Sequence, residues 1–600
     1  AIGNVINNNN GRFSASYTAS NTAHAVALTG TYNGSAVVAS SITQVPDVAT
    51  HYAVSISTRS LVAGQNLTAT AQLKDQFENN VTTSGRTVNW GSSSNSGTWT
   101  NVVTTNSSGV ATATYTTSTT MASGQTVTAS STTPLVQGTS LTFDTIAGSA
   151  HHIVAVTSTS QSAVVGTAVS AVPQVQVQDA NNNAVSGTTV TFVVTQGGGS
   201  VTSSATTTSA DGKIAASSWT VGTIVGTNRL EARSAGLTGS PVIFTATGTP
   251  ASPDSITITA GNSQTATVAS SVTTDPVVVV KDQYGNVTPG VSVSFSITAG
   301  SGSVVNSIAT TDASGLASSG HWTMGNIVGT NTLLVALPDW SSVTAKSFGA
   351  TSTPDAATTL TRIQDVNASQ SATNTVIETT TAQNAIVVAK DRFNNLVPGA
   401  TVTYAITQGG GKFADNSTSY AVVTGSNGQA TALAWTVGSI SGTNTMTASI
   451  SGASLTFQTT AVPSSASTSR TTVITSVNTL TANGMTTSVI TVTLKDARDN
   501  VILGGPDNTV AISISSGTGT LSTVSIASDG TYIATFTSGT VSGQVVIAAQ
   551  LNGASLSQQA TINLVAGPAT KLGIITAPSS STSSGHLIGA PAIAIQDQFG

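Results

Sequence analysis

Short stretches in which apolar and polar residues alternate follow one another along the chain, each closed by Gly, Asn or Asp. Val175-Gln-Val-Gln178 and Val293-Ser-Phe295 alternate strictly, and Val277 to Val280 is a continuous apolar run of strand length. A period of two sets residues i and i+2 on one face of a sheet. Helical spacing does not stand out: Glu occurs only at 78, 231 and 378, and Leu and Lys are sparse. Val and Thr suit a pleated, half-buried surface, while Gly and Asn suit turns. The pattern predicts an all-β chain.

The strands recur in a fixed phrase. Lys281-Asp-Gln-Tyr-Gly-Asn286 returns as Lys74 to Asn79, Gln178 to Asn183, Lys390 to Asn395 and Lys495 to Asn500, and the chain ends on Gln596-Asp-Gln-Phe-Gly600. The aspartates at 75, 179, 282, 391, 496 and 597 stand about 101 to 109 residues apart, the length of an immunoglobulin-sized sandwich. An alternating strand precedes each Asp. A turn follows it, then Gly187, Gly290 or Gly399 four residues past the Asn, then a strand pairing Val with an aromatic: Val88/Trp90, Val190/Phe192, Val293/Phe295, Val402/Tyr404. A second turn carries Gly109, Gly212, Gly315, Gly428 or Gly530. Tyr115, Trp219, Trp322, Trp435 or Phe536 comes six or seven residues later, and the last strand brings Phe143, Phe244, Phe348 or Phe457. Strands at this spacing with turns between them predict a tandem array of immunoglobulin-like β-sandwich domains forming an extended rod. The repeat divides the chain into residues 48–149, 150–250, 251–353, 354–463 and 464–567, flanked by the second half of a domain at 1–47 and the first half of one at 568–600. Half-sandwiches bury too little to stand alone, so the chain is expected to be a window on a longer array.

Composition narrows the function. Charged residues make up 6% of the 600, with a net charge of -5, which leaves little for nucleic-acid binding. No apolar run approaches the roughly 18–20 residues of a membrane helix, so membrane insertion by this segment is not expected. Cys is absent, which removes disulfides and thiolate chemistry. The uncharged polar faces suit an extracellular, cell-surface setting.

The stretch from Val277 through Asp282, Gly285-Asn286, Gly290, Val293 and Phe295, continued by Thr311 and Gly315, resembles the bacterial immunoglobulin-like domains of the invasin and intimin type. The resemblance extends repeat by repeat over essentially the whole chain. It implies stalk domains of bacterial surface adhesins. The invasin pattern's terminal lectin-like domain and Cys pair are missing here. Trp-Thr-Val/Met-Gly at 219–222, 322–325 and 435–438, each followed by Gly-Thr-Asn at 226–228, 329–331 and 442–444, marks a subgroup within the array.

Each chemical reading has a structural counterpart. Asp and Asn four residues apart (Asp75/Asn79, Asp179/Asn183, Asp282/Asn286, Asp391/Asn395, Asp496/Asn500) suggest calcium, since hard cations want several oxygens. One carboxylate per turn is a poor start for that, and both residue types stabilise turns by bonding nearby backbone N–H groups. The turn reading is preferred, with no metal or other cofactor expected. His24, His51, His151, His152, His321 and His586 do not recur with the repeat, and adjacent His151 and His152 on a strand point to opposite faces. Gln196-Gly-Gly-Gly199 and Gln408-Gly-Gly-Gly411 read as turns or bulges. Trp219, Trp322 and Trp435, one per domain at one register, read as core residues and not as a sugar platform. No set of side chains meets the requirements of an active site, so the chain is not read as an enzyme.

A string of sandwiches with short Pro/Gly junctions sets distance or carries load. The expected function is a structural stalk or filament segment of a very large bacterial cell-surface protein, in adhesion or as an extracellular fibre. The alternative is a repeated module that recognises glycans or a partner-cell protein. Weak charge and few edge lysines favour self-association into fibres or lateral bundles. Other cells, surfaces or matrix would be met through domains outside this segment.

Overall fold

A computed structural model describes the chain except residues 95, 101, 368–373, 579–583 and 586–588, and the side chain of Ala39. His586 lies outside the described residues. Every regular element among the described residues is a strand, and no helix there is long and apolar enough to cross a membrane.

Residues 251–353 show the plan. Pro253–Ala260 pairs antiparallel with Val277–Asp282, which pairs in turn with Leu316–Ser318. The opposing sheet runs Gln264–Thr267, Lys346–Thr353, Gly329–Ala336, Ser292–Ala299, Ile308–Thr310. Its first pair is parallel and the rest are antiparallel. The first segment of the unit therefore serves both sheets. It adds a strand to one, turns at Gly261, and adds a short strand to the other. A sandwich results because the alternation works from both sides: Asn331, Leu333 and Val335 point inward from one sheet, Val278 and Val280 from the other.

Among the described residues, one core cluster lies in each of residues 153–246, 256–350, 366–461 and 473–564, and two adjoining clusters lie in residues 52–143. No core cluster among the described residues draws on two repeats, and we propose the repeat limits as the domain limits. Trp219, Trp322 and Trp435 are fully buried, with Val293, Val402, Tyr404, Phe244, Phe348 and Phe457. Burying one such aromatic removes about 150–250 Å² from water, more than any of the Val, Ala, Leu and Ile side chains packed beside it. Residues 48–149 place Tyr115 at the Trp position, and residues 464–567 place Phe536 there. The pairs Ala25–Tyr32/Ser35–Thr43 and Lys571–Thr576/Ala592–Gln596, from the half-repeats, leave apolar side chains such as Leu572, Ile574 and Ile595 exposed.

Replacing Trp322 by Ala is expected to destabilise its own unit by about 3–5 kcal/mol and leave the next cores untouched. Hydrogen-exchange mass spectrometry should show faster exchange confined to 251–353. Equal loss of protection in 150–250 and 354–463 would mean that the cores are not independent.

Candidate functional site at the repeat junctions

The repeated aspartates are almost completely buried, at 0% exposure for Asp75 and Asp496 and 2% for Asp179, Asp282 and Asp391. A buried carboxylate is tolerated only if its lone pairs are met by donors. In Asp282, Oδ1 accepts the backbone N–H groups of Tyr284 and Asn286, both at 2.9 Å. Oδ2 accepts the N–H of Ala251 at 3.0 Å and the Asn286 side-chain amide at 3.0 Å. The first pair closes the turn. Ala251 lies in the linker from the preceding unit, so the second pair ties that linker down. The other copies repeat the linker contact: Asp47 N–H to Asp75, Gly148 to Asp179, Asp355 to Asp391, Ser464 to Asp496 and Gly567 to Asp597, at 2.8 to 3.1 Å.

The asparagine leaves its own unit. Asn286 Nδ2 donates to Thr223 O at 2.8 Å, and Asn286 Oδ1 accepts from Val225 N at 3.0 Å. Both partners belong to the preceding unit. One edge of a carboxamide offers a donor and an acceptor, as a peptide group does, so it pairs with O of residue n and N of residue n+2 like one more strand residue. The other junctions match: Asn79 with Asn21 O and Ala23 N, Asn183 with Thr119 O and Met121 N, Asn395 with Asn326 O and Val328 N, Asn500 with Ser439 O and Ser441 N. Those eight contacts run from 2.7 to 3.2 Å. The second amide hydrogen of each Asn goes to its own Asp, at 2.9 or 3.0 Å. Asp and Asn thus form a clasp that joins turn, linker and neighbour.

The Trp-Thr-x-Gly and Gly-Thr-Asn motifs build the socket that receives this clasp. Asn228 and Asn444 are fully buried, and their side-chain oxygens accept the N–H of Gly222 and Gly438 at 2.8 and 3.2 Å. All three asparagines donate to the carbonyl of the glycine two residues before, and Asn331, equally deep, donates to Ser352 Oγ as well. The Gly-Gly-Gly runs lie against these asparagines. A Cβ on Gly222 would fall 1.7 Å from Gly197 O, so only glycine allows the loops to touch. The sheet register shifts beside both runs, between Val194 and Gln196 and between Ile406 and Gln408.

Sequence reading placed Asp and Asn in one turn. The left-handed residue of that turn is the one before the Asn (Glu78, Asn182, Gly285, Asn394, Asp499), which frees the Asn side chain to reach outward. Gly187, Gly290 and Gly399 are left-handed too, four residues beyond the Asn, and their N–H groups bond Thr208, Thr311 and Thr424 within the unit. The inter-repeat bond was missed; its one signal was an Asn that persists where the turn residues before it vary. For the calcium alternative at Asp75, Asp179, Asp282, Asp391 and Asp496, a cation would meet four N–H groups already directed at each carboxylate. The expectation for His151 and His152 needs correction: their Nδ1 atoms lie 3.4 Å apart, because His151 precedes the strand that begins at His152. His321 is largely exposed and bonds Asp275 at 2.8 Å.

Sandwich units in tandem, each clasped to the one before, define a modular β-sandwich array. Residues 465–567 match the family model "Invasin, domain 3". That segment is a different unit from 277–295, whose residues carry the resemblance most fully. No protein of curated function matches the chain. Among solved structures, the Escherichia coli adhesin FdeC is 19% identical over 52% of this chain and 99% of its own, with a TM-score of 0.30. Invasin, described as a bacterial integrin-binding protein, is 20% identical over 53% of this chain and 62% of its own, with a TM-score of 0.28. InvD of Yersinia pseudotuberculosis is 18% identical over 50% and 96%, with a TM-score of 0.32.

Burial pushes the Asp75 carboxyl up, but the Asn79 amide and the N–H groups of Asn79, Asp47 and Phe77 outweigh it and hold the pKa at about 2. Burial likewise opposes, and the same donor set overcomes, the shift of Asp179, Asp282, Asp391 and Asp496, all held below the ordinary value. A carboxylate with a depressed folded pKa stabilises fully above its unfolded value, near 3.9, and loses that contribution as pH falls through the folded value. Protection of the Asp47 and Asn79 amides is therefore expected to hold from pH 7 to about 4 and to decline toward pH 2. Loss already at pH 5 would show that the ionised carboxylate is not the anchor.

Proposed function

We propose that this chain is a stalk segment of a large bacterial cell-surface protein, serving adhesion by holding other domains at a distance. The observation that carries the reading is the same two-bond clasp at five successive junctions. A jointed string with free linkers would flex, whereas each clasp fixes the linker and the neighbour at once. Two bonds of about 0.5–1.5 kcal/mol each bias every joint toward one geometry. The invasin-type match at 465–567 and the adhesin relatives support a surface role. The full burial of Trp219, Trp322 and Trp435 works against sugar stacking at these positions, because a ring cannot be covered by its own core and by a ligand together. Contact with other cells or matrix then belongs to domains beyond this segment, and lateral association of neighbouring stalks is part of the same proposal.

Small-angle scattering of the 600-residue chain should give a rod of roughly 200–250 Å, at about 3.3 Å per strand residue. Combined Asn286→Ala and Asn395→Ala substitutions should shorten the maximum dimension and broaden the distribution without unfolding either core. A compact particle for the unsubstituted chain would overturn the stalk reading.

A further inference from the structure

The clasp holds a further residue in place. The residue two positions after each Asp donates its N–H to Oδ1: Phe77, Asn181, Tyr284, Phe393, Arg498 and Phe599, at 2.8 or 2.9 Å. Its backbone is fixed at the junction while its identity varies from repeat to repeat. At the Asp282 and Asp496 junctions it faces a left-handed turn of the preceding unit, a turn that recurs in every repeat. That turn is also uniform in shape and varied in sequence: Gly64, Gly166, Ala269, Glu378 and Gly484, with φ from +57° to +84°. The N–H of each bonds a carbonyl at the start of the Asn socket, Ser118, Gly222, Gly325, Gly438 and Gly539 respectively. Turn and socket therefore form one surface, against which the following unit seats.

At two junctions the facing residues fit each other in opposite ways. At Asp282, a Cβ on Gly166 would fall 2.5 Å from the Tyr284 hydroxyl oxygen, so the Tyr in this position lies over a residue without a side chain. At Asp496 the turn residue is Glu378, a side chain that the left-handed region disfavours. Arg498 meets it as a fork, Nε to Oε2 at 3.1 Å and Nη2 to Oε1 at 3.0 Å, across 120 residues of sequence. A planar guanidinium paired with a carboxylate in this way is directional as well as attractive. Exchanging the partners would fail both ways: Glu in place of Gly166 would collide with Tyr284, and Gly in place of Glu378 would leave Arg498 without its carboxylate.

We propose that the residue two after each clasp Asp and the left-handed turn residue before it form a matched pair that selects which repeat seats on which. The clasp, built on backbone sockets, is common to all junctions and supplies adhesion between units. The matched pair is particular to each junction and supplies order and orientation. The pair at Asp496 is charged and half-exposed, so salt weakens it, with a screening length of about 10 Å at 0.1 M. The pair at Asp282 is packed by shape and is indifferent to salt. The inference deepens the stalk reading, yet its contacts stand without it.

The absence of Cys allows one label pair across each junction in the whole chain. Cys pairs placed on exposed strand positions of the flanking units, spin-labelled, give the inter-unit distance distribution by double electron–electron resonance. Arg498→Glu and Glu378→Arg should each broaden the distribution at the Asp496 junction roughly twofold, and the double exchange should restore it, the signature of a directly coupled pair. Salt should broaden that junction and leave the Asp282 junction unchanged, a measurement that needs no substitution in the matched pair itself. Gly166→Glu should broaden the Asp282 junction, with Tyr284→Ala recovering part of the loss. Single variants without effect, or a double exchange as broad as the singles, would overturn the pairing. The rod's overall length in scattering is a separate readout, so failure of the pair and failure of the stalk are told apart.

Discussion

A buried carboxylate, one per repeat, sets the terms for everything around it. It can stay ionised under the sandwich only if donors reach it, and no single segment has enough of them. The turn supplies two N–H groups, the linker one and the Asn amide one. Closing the turn, capturing the linker and orienting the Asn are therefore one event. Once one amide hydrogen is given to the Asp, the other hydrogen and the oxygen face the neighbouring unit in a fixed order. In a chain with only 6% charged residues, a carboxylate placed at each junction turns local satisfaction into contact between units.

The partner of the Asn is backbone, and this explains how the array tolerates variation. The side chains differ among the pairs Asn21 and Ala23, Thr119 and Met121, Asn326 and Val328, and Ser439 and Ser441, yet each pair presents a carbonyl and an N–H two residues apart. Three of the sockets are braced by a buried Trp and a buried Asn; the socket of residues 48–149 has Tyr115 and no Gly-Thr-Asn, and the contact is kept. The intervening residue points to solvent, leaving Ile224, Ile327 and Ile440 about 70–74% exposed. Core and socket are thus coupled through the Trp strand, but the bond between units asks only for extended backbone.

How much could be read beforehand follows from the range of each interaction. Strands, turns and the repeat were legible because alternation and Gly placement are local: Val293 and Phe295 face the core two residues apart, and Gly315 closes a turn in its own hairpin. The Trp positions were legible because a large aromatic at one register per repeat belongs in a core. The destination of Asn286 was not, since Thr223 and Val225 lie 63 and 61 residues away and offer only backbone. His151 and His152 misled for a related reason: the rule of opposite faces holds inside a strand, and the strand starts between them.

By itself, the order of residues determined the sheet-forming pattern, the period of about 104 residues and the presence of an Asp and an Asn in each copy. Those features rest on forces acting over a few residues, and pattern alone expresses them. Only the packed chain decided that the Asp would bind the linker, that the Asn would cross to the neighbour, and that Gly166 and Glu378 would face Tyr284 and Arg498. Hydrogen bonds to backbone carry no trace of their partner's identity in the sequence; folding must first bring the two segments within about 3 Å.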